Sequence, residues 1–123
     1  MNKYVIKIDR LIIPSSPRNT TTAKVILDYL PIVGNSIKWG KEYYFYTKLK
    51  IEPEKNAKNI ITKGEIAYWP QGNAIAIGYG PTPISIGNEI RLANKCNIWA
   101  DTNFELNKLD KIKEDILIKI YEI

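Results

Sequence analysis

Apolar and polar residues alternate with a period of two along most of this chain, and one short segment switches to the helical period. In KYVIKID, residues 3 to 9, Tyr4, Ile6 and Ile8 fall on one face, the pattern of a first strand. RLIIPSSPRN follows and ends in a Pro/Ser turn. In TTTAKVILDYLP, Ala23, Ile26, Leu27 and Leu30 lie at i, i+3, i+4 and i+7, a single apolar stripe on a short helix. Thr21 or Thr22 is placed to cap its start, and Pro31 ends it. SIKW and EYYFYTKLKI are rich in aromatic and β-branched residues and read as strands separated by a bend or bulge at Gly40-Lys41. In the longer one, Tyr43, Phe45, Thr47 and Leu49 look inward, while Tyr44, Tyr46 and Lys48 look toward solvent or a ligand. EPEKNAKN is a polar loop with room for one helical turn. Residues 89–93 and 95–100 give two more short strands. FELNKLDKIKE has room for a brief helix before DILIKIYEI, where Ile116, Ile118 and Ile120 alternate. About eight short strands, one definite helix and one small extra helix predict a mainly β protein, either a closed barrel or a sandwich.

One segment alternates in an unusual way. In GEIAYWPQGNAIAIGYGPTPIS, residues 64 to 85, Ile75, Ile77 and Tyr79 point one way, and Ala74, Ala76, Gly78 and Gly80 point the other. Glycine weakens a strand interior, so a face made of Ala and Gly implies that something approaches it closely. The connection Pro70-Gln71-Gly72-Asn73 closes a hairpin and sets a register. It places Trp69 opposite Ala74, Ala67 opposite Ala76 and Glu65 opposite Gly78, with Tyr68 meeting Ile75 and Ile66 meeting Ile77 on the other face. The second face is a conventional core face. The first is a shallow, mostly apolar floor with an indole at one end and a carboxylate at the other. Packing of the 22–30 helix onto that floor is the expected cover. The alternatives are a groove for an extended or proline-containing peptide and an oligomer contact.

Composition narrows the chemistry. The 123 residues predict one domain over 1–123, and the balance of 45% hydrophobic to 25% charged residues is that of a soluble globular protein. No run approaches a membrane span, and charges interrupt the N-terminal apolar run, so the expected location is cytoplasmic. The single cysteine, Cys96, excludes an internal disulfide and reads as a small core residue rather than a nucleophile. The chain has no histidine, which excludes a histidine-based triad, general base or zinc site. No cofactor or metal is implied. Of the 18 basic residues only Arg10, Arg18 and Arg91 are arginine, and the lysines are scattered singly. A net charge of +5 spread in this way describes a solvated basic surface, and nucleic-acid binding ranks last among the candidate functions. The 22 isoleucines and single glutamine suggest a thermophile or an AT-rich genome.

The hairpin run GEIAYWPQGNAIAIGYGPTP, preceded by TAKVILDYLPI (22–32) and WGKEYYF (39–45), resembles the atypical cyclophilin-like family of small archaeal and bacterial proteins. The resemblance covers residues 1 to 123 in order and implies an eight-stranded antiparallel closed barrel with a capping helix. It does not carry catalysis. Cyclophilins proper set an Arg, a Phe, a Gln, a Trp and a His around the prolyl bond, with a Phe-His-Arg-Ile run, and neither that run nor any histidine is present here.

Three function classes follow. The first is a binding module that recognises a peptide or small ligand in a groove on the barrel, with weak or no prolyl isomerase activity. The second is an active isomerase with a non-standard site. It needs a donor aimed at the prolyl nitrogen, and Arg91, the only arginine on an expected strand, is the candidate, with Tyr79, Trp69, Tyr44 or Tyr46 beside it. An ion pair with Glu89 or Glu65 is the competing role for Arg91. The third is nucleic-acid binding through stacking on Tyr44 and Tyr46. Glu42 is either a structural hydrogen-bond partner at the Gly40 bend or a ligand-facing acid, and Glu65 completes the set of candidate ligand-binding residues.

Overall fold

The computed structural model describes residues 3–123. Its strands are β1 (Tyr4–Ile8), β2 (Leu11–Pro17), β3 (Ile32–Asn35), β4 (Ile37–Lys38), β5 (Glu42–Tyr46), β6 (Lys58–Ile61), β7 (Glu65–Trp69), β8 (Ala74–Gly78), β9 (Ile90–Asp101) and β10 (Leu117–Glu122). Helix α1 spans Thr21–Asp28, and a 3₁₀ helix spans Leu106–Lys111. The strands form one antiparallel sheet in the order β3-β10-β1-β2-β9-β7-β8-β5-β4, with β6 attached to β9 off this path. The two ends of the order, β3 and β4, are consecutive in the chain and joined through Ser36, so the sheet curls into a nearly closed barrel. Closure brings β3 against β5. A Cβ on Gly34 would stand 2.6 Å from Phe45 Cδ2, which only a residue without a side chain avoids.

The barrel interior takes the large alternating residues. Ile66, Tyr68, Ile75 and Ile77 of the hairpin join Tyr43, Phe45, Ile6, Ile8, Ile118 and Ile120 in one buried cluster. Helix α1 adds Ala23 and Ile26 to it, and the 3₁₀ helix adds Leu106 and Leu109. The Tyr43 hydroxyl donates to the Leu109 and Ile112 carbonyl oxygens, which fixes the 3₁₀ segment over that part of the core. The buried Asn97 side chain donates to Thr22 Oγ1 and the Glu52 carbonyl, both at 2.9 Å, tying α1 and the 52–54 loop to β9. Thr20 caps α1, its hydroxyl accepting from Ala23 N at 3.1 Å, one residue earlier than Thr21 or Thr22.

The hairpin register is the one read from the sequence: Ile66 pairs with Ile77, Ala67 with Ala76, Tyr68 with Ile75 and Trp69 with Ala74. The cover of the small-residue floor is different. Helix α1 packs into the inner core, and the floor on the outer face meets an arm made by β6 and the first half of β9. From Asn97 to Asp101, β9 pairs with β7 inside the barrel wall, whereas from Ile90 to Cys96 it pairs with β6 instead. The arm sets Ile61, Ile90, Leu92 and Cys96 against Ala67 and Ala76, beside Ile98 of the barrel wall. Gly78 is glycine because the arm comes this close: a Cβ there would lie 2.7 Å from Ile90 Cγ2.

The mainly β, nearly closed barrel is the expected fold, and the described residues form ten strands where the sequence pattern predicts about eight. The segments 89–93 and 95–100 are one continuous strand, and β2, β3 and β6 are additional. EYYFYTKLKI is a strand only as far as Tyr46.

Candidate functional site

Cross-strand pairing arranges the outer face of the hairpin and β5 in three rows. Glu42 stands beside Gly78, Tyr44 beside Ala76 and Ala67, and Tyr46 beside Ala74 and Trp69. Every large side chain of this face therefore sits at its rim, and the middle is bare. The arm does not fill the space completely. A cavity of about 110 Å³ remains, lined by Trp39, Glu42, Tyr44 and Trp69 on one side and Leu92, Ala93 and Cys96 of β9 on the other, with Ala76 as its base.

The walls are held by specific contacts. Trp69 Nε1–H donates to Asn94 Oδ1 at 3.1 Å, and its ring lies so close over Gly72 that a Cβ there would be 2.3 Å from it. Tyr44 meets Trp69 edge to face, with centroids 6.4 Å apart, and meets Tyr46 the same way at 5.7 Å. Trp39 and Glu42 flank a tight bend in which Trp39 N–H donates to the Glu42 carbonyl at 2.9 Å. Gly40 makes that bend with φ +61°, and its missing Cβ would fall 2.8 Å from Thr82 Cα.

Glu42 is the unusual member. Only 6% of it is exposed, and its Oε1 is sealed from solvent without a hydrogen-bond partner. Burial alone raises its carboxyl from 4.5 to about 7. The role of a structural hydrogen-bond partner at the Gly40 bend is filled by its main chain, not by its carboxyl. Nearby, Cys96 Sγ contacts the Asn94 carbonyl at 3.4 Å, and burial followed by the charge of Glu42 pushes its thiol up to about 12. A thiol so placed is inert as a nucleophile at neutral pH.

The other sequence candidates fall elsewhere. Tyr46 is 55% exposed at the outer rim. Tyr79 lies on the opposite side of the sheet from Trp69, in the inner core, and its hydroxyl donates to Asp110 at 2.9 Å. Glu65 is engaged by Arg18 Nη2 at 3.0 Å, Lys58 Nζ at 2.9 Å and Thr62 N–H at 2.7 Å. Burial works to raise its carboxyl, but these hydrogen bonds outweigh burial and leave it below the usual range. Arg91 Nε donates to Glu89 Oε2 at 2.6 Å, at the far end of the arm, and is not among the cavity's lining residues. The structure thus brings Glu42, Tyr44 and Trp69 together and adds Trp39, Leu92, Ala93 and Cys96, which sequence reasoning did not place in a site.

A nearly closed antiparallel barrel with a two-stranded arm folded over a floor of small residues is the architecture of a small β-barrel domain. The chain belongs to the cyclophilin-like family, whose model matches residues 3–120. Its fold is similar to the solution structure of the hypothetical protein AF2241 from Archaeoglobus fulgidus, at 28% identity and a TM-score of 0.80, covering 98% of this chain and 93% of that one. No curated protein matches the chain. Among the described residues, no helix is long and apolar enough to cross a membrane.

Proposed function

We propose that this protein is a binding module that takes a small ligand, or a single side chain of a peptide, in the cavity between the floor and the β6–β9 arm. The observation that carries this reading is the Glu42 carboxyl, buried in the cavity wall with Oε1 unpartnered. An unpaired buried acceptor costs stability, roughly 1–3 kcal/mol, and such a group persists at sites where a ligand completes it. The aromatic walls and apolar base supply the remaining contact surface expected of a small-molecule site.

Binding without turnover fits the same arrangement. The lining contains no guanidinium, and the Arg91 side chain is committed to Glu89. A cavity that holds both isomers of an X-Pro bond equally lowers no barrier.

The test is a titration of ¹⁵N-labelled protein with small fragments bearing neutral, cationic and anionic heads. The expected result is saturable movement of the Trp39 and Trp69 indole signals while that of Trp99, inside the core, stays fixed. If no fragment moves them, the cavity is not a ligand site.

A further inference from the structure

The cavity's chemistry defines a narrower class of ligand, an inference that rests on the binding reading above. Its lining holds one ionisable acid, three aromatic rings and no lysine or arginine. The basic groups on the surrounding elements are committed or turned away. Lys58 on β6 pairs with Glu65, Arg91 on β9 with Glu89, and Lys41, next to Glu42, with Asp110 at 3.6 Å. Lys95 on β9 is exposed to solvent. The protein's overall charge of +5 therefore does not set the field inside this cavity. Its one formal charge is the Glu42 carboxylate, and the aromatic side chains of Trp39, Tyr44 and Trp69 complete walls on which a cation is well tolerated.

Size restricts the guest further. An apolar cavity of about 150 Å³ holds one benzene, so 110 Å³ admits a head of roughly four heavy atoms, with any longer body leaving through the mouth beside the exposed Ala93. The unpartnered oxygen calls for a hydrogen-bond donor. A turn of the carboxyl about its last, broadly two-fold torsion presents either oxygen to the cavity.

We propose that the cavity binds the ammonium head of an alkylamine that retains at least one N–H, with Glu42 as its counter-charge and hydrogen-bond acceptor and Trp39, Tyr44 and Trp69 as its aromatic walls. A free amine and the side chain of a lysine present this same chemistry.

Binding should deprotonate Glu42, because a cation beside a carboxyl favours the charged form. The other titratable groups facing it do not interfere between pH 5.5 and 8.5. Cys96 on β9 is pushed up to about 12. Tyr44 on β5 is raised by burial, then by Tyr46, Glu42 and Glu114. From β7 and β8 the floor presents Ala67, Trp69, Ala74, Ala76 and Gly78, which do not titrate.

The experiment compares four probes on one carbon chain: n-butylammonium, n-butyltrimethylammonium, n-butanol and butyrate. Binding is read from the Trp39 and Trp69 indole signals and from calorimetry in two buffers of different ionisation heat. The expected order places n-butylammonium first. Its affinity should rise as pH goes from 5.5 to 8.5, with proton release near neutral pH, and should fall at least tenfold in Glu42→Gln. A second comparison sets n-butylammonium against N-acetyl-lysine methylamide, with the ε-acetylated lysine as the uncharged control. Tighter binding of the free lysine derivative assigns the head to a peptide side chain, and tighter binding of n-butylammonium assigns it to a free amine. Equal binding of the acetylated control overturns the cation assignment. Equal binding of n-butanol and n-butylammonium in wild type overturns the cation assignment and leaves the binding reading standing. Stronger binding of butyrate overturns it by sign, and stronger binding of the trimethylammonium probe overturns the N–H requirement. Failure of all four to move the indoles overturns the cavity as a ligand site altogether. The pH dependence in wild type keeps the test decisive should Glu42→Gln fail to fold.

Discussion

Glu42 stands directly across the β5–β8 ladder from Gly78, and Ile90 of the arm closes over that glycine, 2.7 Å from where a Cβ would be. The acid thus owes its burial to a neighbour without a side chain and to a strand that uses the gap. Two features that look unrelated in the sequence, a glycine-interrupted strand and an acid after a Trp-Gly bend, are one arrangement.

Gly78→Ala tests it. The methyl group meets Ile90 Cγ2 and then Ile61 Cδ1 at 3.3 Å, so either the arm lifts or the core overpacks. Overpacking costs ~1–3 kcal/mol, and the entropy gained by removing a strand glycine offsets at most ~1 kcal/mol of it. Urea denaturation should show net destabilisation. An unchanged or raised midpoint would mean that the arm does not press on the floor.

Ala76→Leu acts one row away with the opposite balance. Ala76 is the base of the 110 Å³ cavity, so the added carbons have space to enter. The overpacking cost of a small-to-large change, ~1–3 kcal/mol in a filled core, should be largely relieved by the empty space, while binding of every probe at the indoles is lost. Retained binding with normal stability would place the ligand elsewhere.

The pH dependence of stability isolates Glu42, because no histidine titrates in the same window. Its folded-state pKa of about 7 lies above its ordinary 4.5, so the folded protein holds the extra proton between those values. The associated stabilisation is fully present below pH 4.5 and is lost as pH rises through 7. The span corresponds to at most about 3 kcal/mol. Glu65 behaves in the opposite sense: its lowered pKa gives stability above the usual carboxylate range that is lost on acidification. Urea midpoints should therefore decline from pH 5 to 8.5 in wild type and stay level in Glu42→Gln. A level wild-type profile would show that Glu42 titrates as an ordinary carboxylate.

The parts legible in the sequence are those set by local periodicity. The hairpin register followed from strict alternation and the Pro70–Asn73 turn, and of the inward set Tyr43, Phe45, Thr47 and Leu49 all are buried except Thr47, which is half-buried beyond the end of β5. β2 was hidden because Pro14 and Pro17 read as a turn, yet Pro14 pairs with Val5 where the missing N–H is tolerated. β6 carries Lys58 and Asn59 and does not alternate cleanly, because it pairs only with the irregular half of β9. Glu42, Tyr44 and Trp69 were legible only as separate candidates; the β5–β8 pairing brings them onto one face, and Leu92, Ala93 and Cys96 reach them through the fold of the arm. Tyr79 shares the parity of Ile75 and Ile77, which by itself separates it from Trp69.

Prolyl isomerisation is the activity suggested by the family's name. An isomerase needs a donor at the prolyl nitrogen that acts more strongly on the twisted amide than on either planar form. Arg91, the sole arginine on a strand of the arm, has its Nε in a 2.6 Å contact with Glu89, and its main-chain N–H is held by Ser85 Oγ at 3.1 Å. Freeing the guanidinium would break that ion pair, and the side chain would still begin outside the cavity lining. A standard proline-peptide assay should therefore show no more than a few-fold acceleration, unchanged in Arg91→Ala. The same substitution should leave n-butylammonium binding intact, since Arg91 lies outside the proposed contact set. Robust turnover that disappears in Arg91→Ala would make this protein an enzyme and overturn the binding-only reading. Robust turnover that survives the substitution would also overturn it and would move the search for the donor to the indole and phenol groups of Trp39 and Tyr44.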